Sequence, residues 1–277
     1  MPEPLTLLAV RAHPDDEVMG VGGVLARYGD EGVRTVLVTC TDGEMGDGPN
    51  GVKPGDPGHD EAAVVSQRRG ELAASCAILG VQAVELLGYR DSGMMGWAQN
   101  AHPQAFWQAP VAKAAARLAA LLERYRPQVV VTDDPHGFYG HPDHIQAHRV
   151  TRAALEQWGG SARLYFPALA RSTMERALER ATAAGIDLQP MITAGWDLDA
   201  MEILAPDDRI AAAVDVSGVI ERKRRALEAH ASQSDSAVFL RMDPRFFALV
   251  MSTESFSRGP DGSGRTVPDT DLFWGLR

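Results

Sequence analysis

Two patterns of apolar and polar residues alternate along the first 160 positions. Continuous apolar or β-branched runs of strand length occur at 5–10, 35–39 and 129–131, and 83–87 is a further short strand candidate. Between and after these runs, apolar residues recur at helical spacing over 17–30, 61–79, 110–125 and 142–158. Strands that alternate with helices predict βαβ units and a mainly parallel sheet that is covered on both faces. We therefore predict an α/β protein with a Rossmann-like, three-layer α/β/α fold.

The C-terminal part has a less regular pattern. The elements that it predicts are a helix at 171–184, a strand at 210–216 and a helix at 220–231. No internal repeat or linker composition separates this part from the rest of the 277 residues. We therefore predict a single domain over 1–277, with a core at 1–170 and a C-terminal elaboration at 171–277.

Three long connections follow predicted strands, at 42–60, 88–107 and 133–141. Connections of this length are uncommon unless they are functional or mobile. In open α/β sheets the ligand lies outside the carboxyl ends of the strands, where these connections begin. The sequence therefore predicts the functional site at this edge.

Two short motifs carry the candidate chemistry. His-Pro-Asp-Asp-Glu at 13–17 follows the first predicted strand, and His-Pro-Asp-His at 141–144 follows the fourth. A residue before proline avoids the α region and proline suits the first helical turn, so each His-Pro marks the start of a helix. Side chains three residues apart can converge across such a turn. Both motifs therefore place ionisable groups together at a helix start.

The convergence of these motifs predicts a metal site. His13, Asp16 and His144 can supply three ligands to one ion, and a fourth position stays open, which is the arrangement of catalytic zinc. Fe²⁺, Co²⁺ and Mn²⁺ are other ions that such ligands accept. Asp15 should point toward the fourth position and serve as general base. One His-Pro-Asp alone is typical of a helix cap, whereas the pair after two strands favours the metal site.

These two motifs resemble the signature pair of the PIG-L/LmbE-like zinc-dependent deacetylases. The resemblance covers the first 150 residues and continues weakly at 230–233 and 269–276. It implies hydrolysis of the N-acetyl group of an N-acetylglucosamine conjugate, of the inositol or malate type, with zinc as cofactor. It also implies the ligands His13, Asp16 and His144, with Asp15 as the base.

Further residues take roles from the same resemblance. Tyr139 and His141 are expected to act on the substrate carbonyl or the leaving group, and either His141 or protonated Asp15 protonates the leaving amine. Arg68, Asp91 and, more weakly, Glu44 match sugar-binding positions. A surface ion pair also explains Arg68 and Glu44, and a turn also explains Asp91.

Three further assignments rest on the residues alone. Asp143 is predicted either to hold the His141 imidazole in one tautomer or to serve as a helix N-terminal carboxylate. His148, four residues after His144, is predicted to be solvated, and the alternative is that it supports the ligands from behind. Met94, Met95 and Trp97 are predicted to anchor an apolar loop, and the alternative is that they line a substrate pocket.

Two alternatives to the deacetylase remain. Mycothiol S-conjugate amidases belong to the same family, but they carry a lysine three residues after the first motif, where this chain has Gly20. A nucleotide- or sugar-binding Rossmann-like protein is the alternative that is not an enzyme. Its expected G-x-G-x-x-G motif fails because Leu25 takes the place of the last glycine, and close helix packing explains the glycines at 20–23 better.

Composition restricts the partners. The chain has 27 Lys and Arg against 37 Asp and Glu, a net charge of −10, and lacks the basic stripe of a nucleic-acid binder. No signal peptide or long apolar segment is recognisable, so we expect a cytoplasmic protein that does not bind membranes. The expected partner is a small amino-sugar conjugate, and the chain can also form a homo-oligomer. Cys40 and Cys76 are predicted to be buried small apolar residues.

Overall fold

The computed structural model describes residues 5–188, 204–258 and 268–277. Its eight strands are β1 (Thr6–Arg11), β2 (Arg34–Thr41), β3 (Ala83–Tyr89), β4 (Val129–Val131), β5 (Arg163–Ala170), β6 (Leu204–Ala205), β7 (Ile210–Asp215) and β8 (Thr253–Arg258). They form one sheet in the order β3-β2-β1-β4-β5-β8-β7, and β6 pairs with β5. The neighbouring strands β3, β2, β1, β4 and β5 are all parallel, whereas β8 runs antiparallel to β5 and β7.

The helices are α1 (Asp16–Met19), α2 (Gly22–Asp30), α3 (Glu61–Leu79), α4 (Val111–Tyr125), α5 (Gly137–Gly140), α6 (Pro142–Trp158), α7 (Arg171–Ala183), α8 (Ile220–Ala229), α9 (Ser234–Leu240) and α10 (Pro244–Met251). Short 3₁₀ turns occur at Pro49–Gly51, Ala98–Ala101, Phe106–Gln108, Asp207–Arg209 and Ser217–Val219. Within the described ranges, no helix is both long enough and apolar enough to cross a bilayer.

Successive residues of β1 enter different cores, as expected for a strand whose side chains alternate between faces. Leu7 and Ala9 pack in a core that includes side chains of α2 and α3. Leu8 and Val10 pack in a second core with side chains of α4 and α6. Helices therefore cover both faces of the sheet, which confirms the predicted three-layer, mainly parallel α/β fold.

The strand order reverses direction beside β1. The chain passes from β1 to β2 and β3 on one side and then returns to β4 on the other side, and both β2 and β4 are parallel to β1. The loops that leave the carboxyl ends of β1 and β4 diverge at this switch point and leave a crevice. Both sequence motifs begin in these loops.

Three strands were missed by the sequence pattern, and one of them, β6, has only two residues. β5 contains Pro167, which is uncommon inside a sheet. β8 has the polar sequence TESFSR, which does not match the pattern of a buried strand, although its Glu254 side chain is buried. These strands attach the C-terminal part to the same sheet.

The helix predicted over 17–30 is broken into α1 and α2. Gly23 lies at the start of α2, where an added Cβ atom would be 2.5 Å from Cγ2 of Val216. The Glu254 carboxylate accepts hydrogen bonds from the Gly23 and Val24 amides at 2.8 Å. The Glu254 carboxylate thus takes the place at this helix N-terminus that an anionic ligand would occupy in a nucleotide-binding protein. The close approach of Val216 to Gly23 agrees with the predicted packing role of these glycines. The prediction of one continuous helix through them is wrong.

Gly23→Ala is expected to destabilise the protein by about 1 to 3 kcal/mol, because Val216 must move. Gly70→Ala is the matched control, since Gly70 lies in α3 with no atom near the added Cβ, and it should stabilise by about 0.5 to 1 kcal/mol. Chemical denaturation of both variants measures the difference. Equal stability of the two variants would contradict the packing argument.

Candidate metal centre and active site

A cavity of about 950 Å³ opens at the carboxyl ends of β1 and β4. Its lining includes both motifs together with parts of the loop at 42–60, of the C-terminal strand β8 and of α9. This volume is within the usual range for sites that bind small molecules. The structure thus brings the three long connections and the C-terminal part to one cavity.

Three side chains converge on one wall of this cavity. Oδ2 of Asp16 lies 3.4 Å from Nδ1 of His13 and 3.5 Å from Nε2 of His144. A tetrahedral ion with bonds of about 2.0 to 2.2 Å has ligand atoms about 3.3 to 3.6 Å apart. Both distances from Asp16 therefore match those between two ligands of one divalent ion.

His144 supplies a second test of this fit. Its Nδ1 atom faces Oδ1 of Asp133 at 3.2 Å, while its Nε2 atom is buried and has no hydrogen-bond partner. Asp133 also forms a 2.7 Å ion pair with Arg11. A carboxylate on one ring nitrogen and a free second nitrogen are the usual environment of a metal-binding histidine.

The carboxylate of Asp143 contacts His13 rather than His141. Its Oδ2 atom lies 3.3 Å from Nε2 of His13 and accepts a 2.8 Å hydrogen bond from the Ser92 amide. The Ser92 hydroxyl donates to the other oxygen. The prediction that this side chain orients His141 is therefore wrong, because the partners of its carboxylate are His13 and Ser92.

His141 lies beside the predicted ligands. The ligand nitrogens of His13, His141 and His144 all lie within 4.8 Å of one another. Its Nδ1 atom accepts a 3.2 Å hydrogen bond from the Asp143 amide, so we assign the proton of the neutral ring to Nε2. Burial, together with His13 and His144, lowers the pKa of His141 to about 2. The ring is therefore a neutral N–H donor.

Asp15 has an unusual backbone and a tight partner. Its φ is 111°, in a region that residues other than glycine rarely adopt. Its Oδ2 atom accepts a 2.9 Å hydrogen bond from Nη2 of Arg68. Burial raises the pKa of Asp15 to about 6, against the lowering effect of Arg68.

Asp16, the next residue, differs from Asp15 in its electrostatics. Burial acts to raise the pKa of Asp16, but His144, His13 and Arg11 hold it well below its usual range. The Asp16 carboxylate is therefore ionised, as a metal ligand must be.

The predicted sugar-binding residues lie at different depths. Arg68 and Asp91 line the cavity, but both are buried, so the surface ion pair considered for Arg68 is excluded. Arg68 also donates to the carbonyl oxygens of Pro14 and Gly43, and Asp91 accepts from the Gly93 amide in a turn. Glu44 does not line the cavity, because its carboxylate lies behind Asp91 and accepts from the Asp91 amide.

Aromatic and methionine side chains line part of the cavity: Phe138, Tyr139, Met94 and Trp97. Phe138 and Tyr139 are about half exposed, and Met94, Met95 and Trp97 are also exposed rather than buried as loop anchors, although Met95 does not line the cavity. The Tyr139 ring lies 5.7 Å from that of His144. Although part of Tyr139 is exposed, desolvation by the surrounding protein and the carboxylates of Asp16 and Asp15 raise its pKa, so its hydroxyl keeps its proton.

Several functional groups were missed by the sequence analysis. Asp133 contacts His144 and is itself paired with Arg11. The positions of both residues at the ends of predicted strands could have indicated that they belong to the site. His148 is buried, with Nδ1 2.9 Å from the Asp133 carbonyl oxygen, so the prediction that it is solvated is wrong. Cys40 and Cys76 are buried free thiols, as predicted.

Comparison with known proteins finds a family model and nearly full-length relatives. Residues 8–155 match the PIG-L model, described as GlcNAc-PI de-N-acetylase. A 1D-myo-inositol 2-acetamido-2-deoxy-alpha-D-glucopyranoside deacetylase of Salinispora arenicola is 42% identical over 98% of this chain and 91% of its own. The deacetylase of the same name from Acidothermus cellulolyticus is 41% identical over 98% and 95%.

Solved structures with the same fold are more distant in sequence. The N,N'-diacetylchitobiose deacetylase of Pyrococcus horikoshii superimposes with a TM-score of 0.56 at 22% identity. The match covers 98% of this chain and 86% of that one. At this identity the likeness supports the fold, which agrees with the strand order described above.

Asp133→Asn is expected to weaken metal binding about 10- to 100-fold, because His144 loses the carboxylate that orients it. Competition with a chromophoric zinc chelator measures the affinity. Asp134→Asn is the control, since the Asp134 carboxylate is next in sequence but accepts hydrogen bonds from loop amides and does not contact a proposed metal ligand. Equal zinc affinity of the two variants would show that Asp133 does not support the centre.

Proposed function

This chain belongs to the GlcNAc-PI de-N-acetylase (PIG-L) family, and we propose that it is a zinc-dependent hydrolase that removes the acetyl group from an N-acetylglucosaminyl-inositol. The observation that carries the proposal is the position of the Asp16 carboxylate between His13 and His144. The carboxylate of Asp15, which is paired with Arg68, lines the same cavity. Metal ligands and a base beside them are the two parts that metal-assisted amide hydrolysis requires.

Zinc is the ion that we propose for this site. Two imidazoles and one carboxylate with an open position are a usual catalytic zinc set, although Fe²⁺, Co²⁺ and Mn²⁺ bind similar ligands. When bound, such an ion polarises a carbonyl oxygen and makes a neighbouring water more acidic. Asp133 and Asp143 would hold the two histidines in the required orientation.

Asp15 is proposed as the general base. Its carboxylate takes a proton from the attacking water, and Arg68 keeps the carboxylate at a fixed position. The leaving amine must then receive a proton, either from His141 or from protonated Asp15. Since His141 is a neutral ring, protonated Asp15 is better suited to give the proton to the leaving amine.

His141 and Tyr139 are proposed to stabilise the oxyanion. The Nε2–H group of His141 and the hydroxyl of Tyr139 can each donate a hydrogen bond to the acetyl oxygen as it gains charge. Loss of one such donor typically costs about 10²- to 10³-fold in rate. Asp91 and Arg68 remain proposed sugar contacts at the floor of the cavity.

The charges of the cavity favour a neutral sugar partner. Each cationic side chain among the described lining residues already pairs with a carboxylate: Arg11 with Asp133, Lys53 with Asp47, Arg68 with Asp15 and Lys223 with Glu254. Asp134 and Asp235 add negative charge to the same lining. A malate conjugate would bring two more carboxylates without an unpaired lysine or arginine among the described lining residues to meet them, whereas inositol hydroxyls can donate to these acids.

Position 20 favours the deacetylase over the S-conjugate amidase. An added Cβ atom at Gly20 would lie 2.9 Å from Cβ of Pro167. The lysine that the amidases carry at this place therefore does not fit beside Pro167 without movement.

Asp15→Asn is expected to lower kcat by about 10²- to 10⁴-fold, because the amide cannot take the proton. Zinc content should stay at the wild-type level, since Asp15 is not among the proposed ligands. Asp42→Asn is a control for loss of a carboxylate outside the cavity, in an exposed ion pair with Arg69. Unchanged hydrolysis by Asp15→Asn with zinc bound would end the proposed mechanism.

Amine release from three substrates tests the proposed substrate: N-acetylglucosaminyl-inositol, N-acetylglucosaminyl-malate and a thiol S-conjugate amide. We expect release from the inositol conjugate that stops with a chelator and returns with zinc. The malate conjugate should react at least about tenfold more slowly, because of charge repulsion. Faster release from malate would overturn the charge argument, and release from the S-conjugate alone would assign the chain to the amidases.

A further inference from the structure

The last acid of the first motif, Glu17, has no part in the chemistry described so far. It is fully buried and does not line the cavity. Its Oε2 atom accepts a 2.9 Å hydrogen bond from the backbone amide of Asp15. Glu17 therefore contacts the one residue of the motif whose backbone has a positive φ.

The other oxygen of Glu17 joins two distant elements. Oε1 lies 2.7 Å from Nε2 of His230, which follows α8, and accepts a 2.5 Å hydrogen bond from the Ser75 hydroxyl in α3. Both partners are fully buried and lie outside the cavity lining. With these donors on one oxygen and the Asp15 amide on the other, the orientation of the carboxylate is fixed.

The backbone of Asp15 needs such support. A positive φ at a residue other than glycine persists only when its surroundings hold it in place. Arg68 holds the side chain of Asp15 from the cavity side, but rotation of the peptide would still redirect the carboxylate. Glu17 restrains that peptide directly, and His230 restrains Glu17.

We propose that Glu17 and His230 are positioning residues that hold the Asp15 peptide in its strained conformation, so that the Asp15 carboxylate points at the attacking water. This inference rests on the proposed role of Asp15. It assigns a catalytic consequence to a side chain 213 positions away in the sequence. It also gives a reason for the resemblance at 230–233.

A double-mutant cycle tests this coupling. His230→Ala is expected to lower kcat about 10- to 100-fold, since displacing a catalytic group by about 1 Å can cost 10²-fold. In the Asp15→Asn background, the same change should lower kcat less than about threefold, because residues that act through one group are not additive. Zinc content and KM should stay within about twofold of their values without the change.

Conservative variants and a control separate positioning from stability. His230→Gln keeps an N–H donor for Glu17 and should recover most of the lost kcat, and Glu17→Gln should be milder than Glu17→Ala because its amide oxygen can still accept from Asp15. Asp271→Asn is the control, since Asp271 accepts from Tyr28 in a network outside the cavity lining. It should lower the unfolding temperature but leave kcat unchanged.

The outcomes distinguish this inference from the proposed function. Equal losses from His230→Ala in both backgrounds would show a merely structural role and overturn the inference. Full activity of His230→Ala, with Asp15→Asn inactive, would overturn the inference and leave the base in place. Full activity of Asp15→Asn would remove the proposed function itself.

Discussion

The candidate metal centre depends on the Asp133 carboxylate, which lies between the Arg11 guanidinium and the His144 imidazole. This contact follows from the sheet register. Ala9 of β1 pairs with Val131 of β4, so the residues two positions beyond each come to face one another at the carboxyl edge. Asp133 then fixes the proton of His144 on Nδ1 and leaves Nε2 free. A buried imidazole nitrogen without a partner costs about 1 to 3 kcal/mol, which a bound ion would offset.

Similar contacts hold the residues of the first motif in place. Asp143 orients His13, Arg68 holds the Asp15 side chain, and Glu17 holds the Asp15 amide. Asp143 lies in α6 and Arg68 in α3, while Glu17 is itself contacted by His230, the residue that follows α8. The loop after β1 is therefore restrained from several directions, and the C-terminal part contributes one of these restraints.

Local sequence predicted the parts of this arrangement that depend on periodicity and spacing. The alternation of strands and helices gave the three layers, and the two His-Pro motifs gave the groups that meet at the switch point. What it missed depends on tertiary contacts. Arg68 has the pattern of a surface helix residue and is buried only because loop carbonyls and Asp15 surround it. β5 was hidden by Pro167, and the contact between His230 and Glu17 spans elements that no local pattern connects.

Asp15 and Asp16 show how far such contacts decide chemistry. They are adjacent, identical in type and both close to the helix start, so the sequence alone gives them the same ordinary pKa. Two imidazoles and Arg11 face Asp16 and keep it ionised, which suits a ligand. Among the described residues, the Asp15 carboxylate is paired only with the Arg68 guanidinium, and burial raises its pKa to about 6 against the effect of that guanidinium. Such a pKa suits a group that takes and returns a proton near neutral pH. The positive φ at Asp15 lies between the two carboxylates, which contact different partners, so the backbone at this residue separates the proposed ligand from the proposed base.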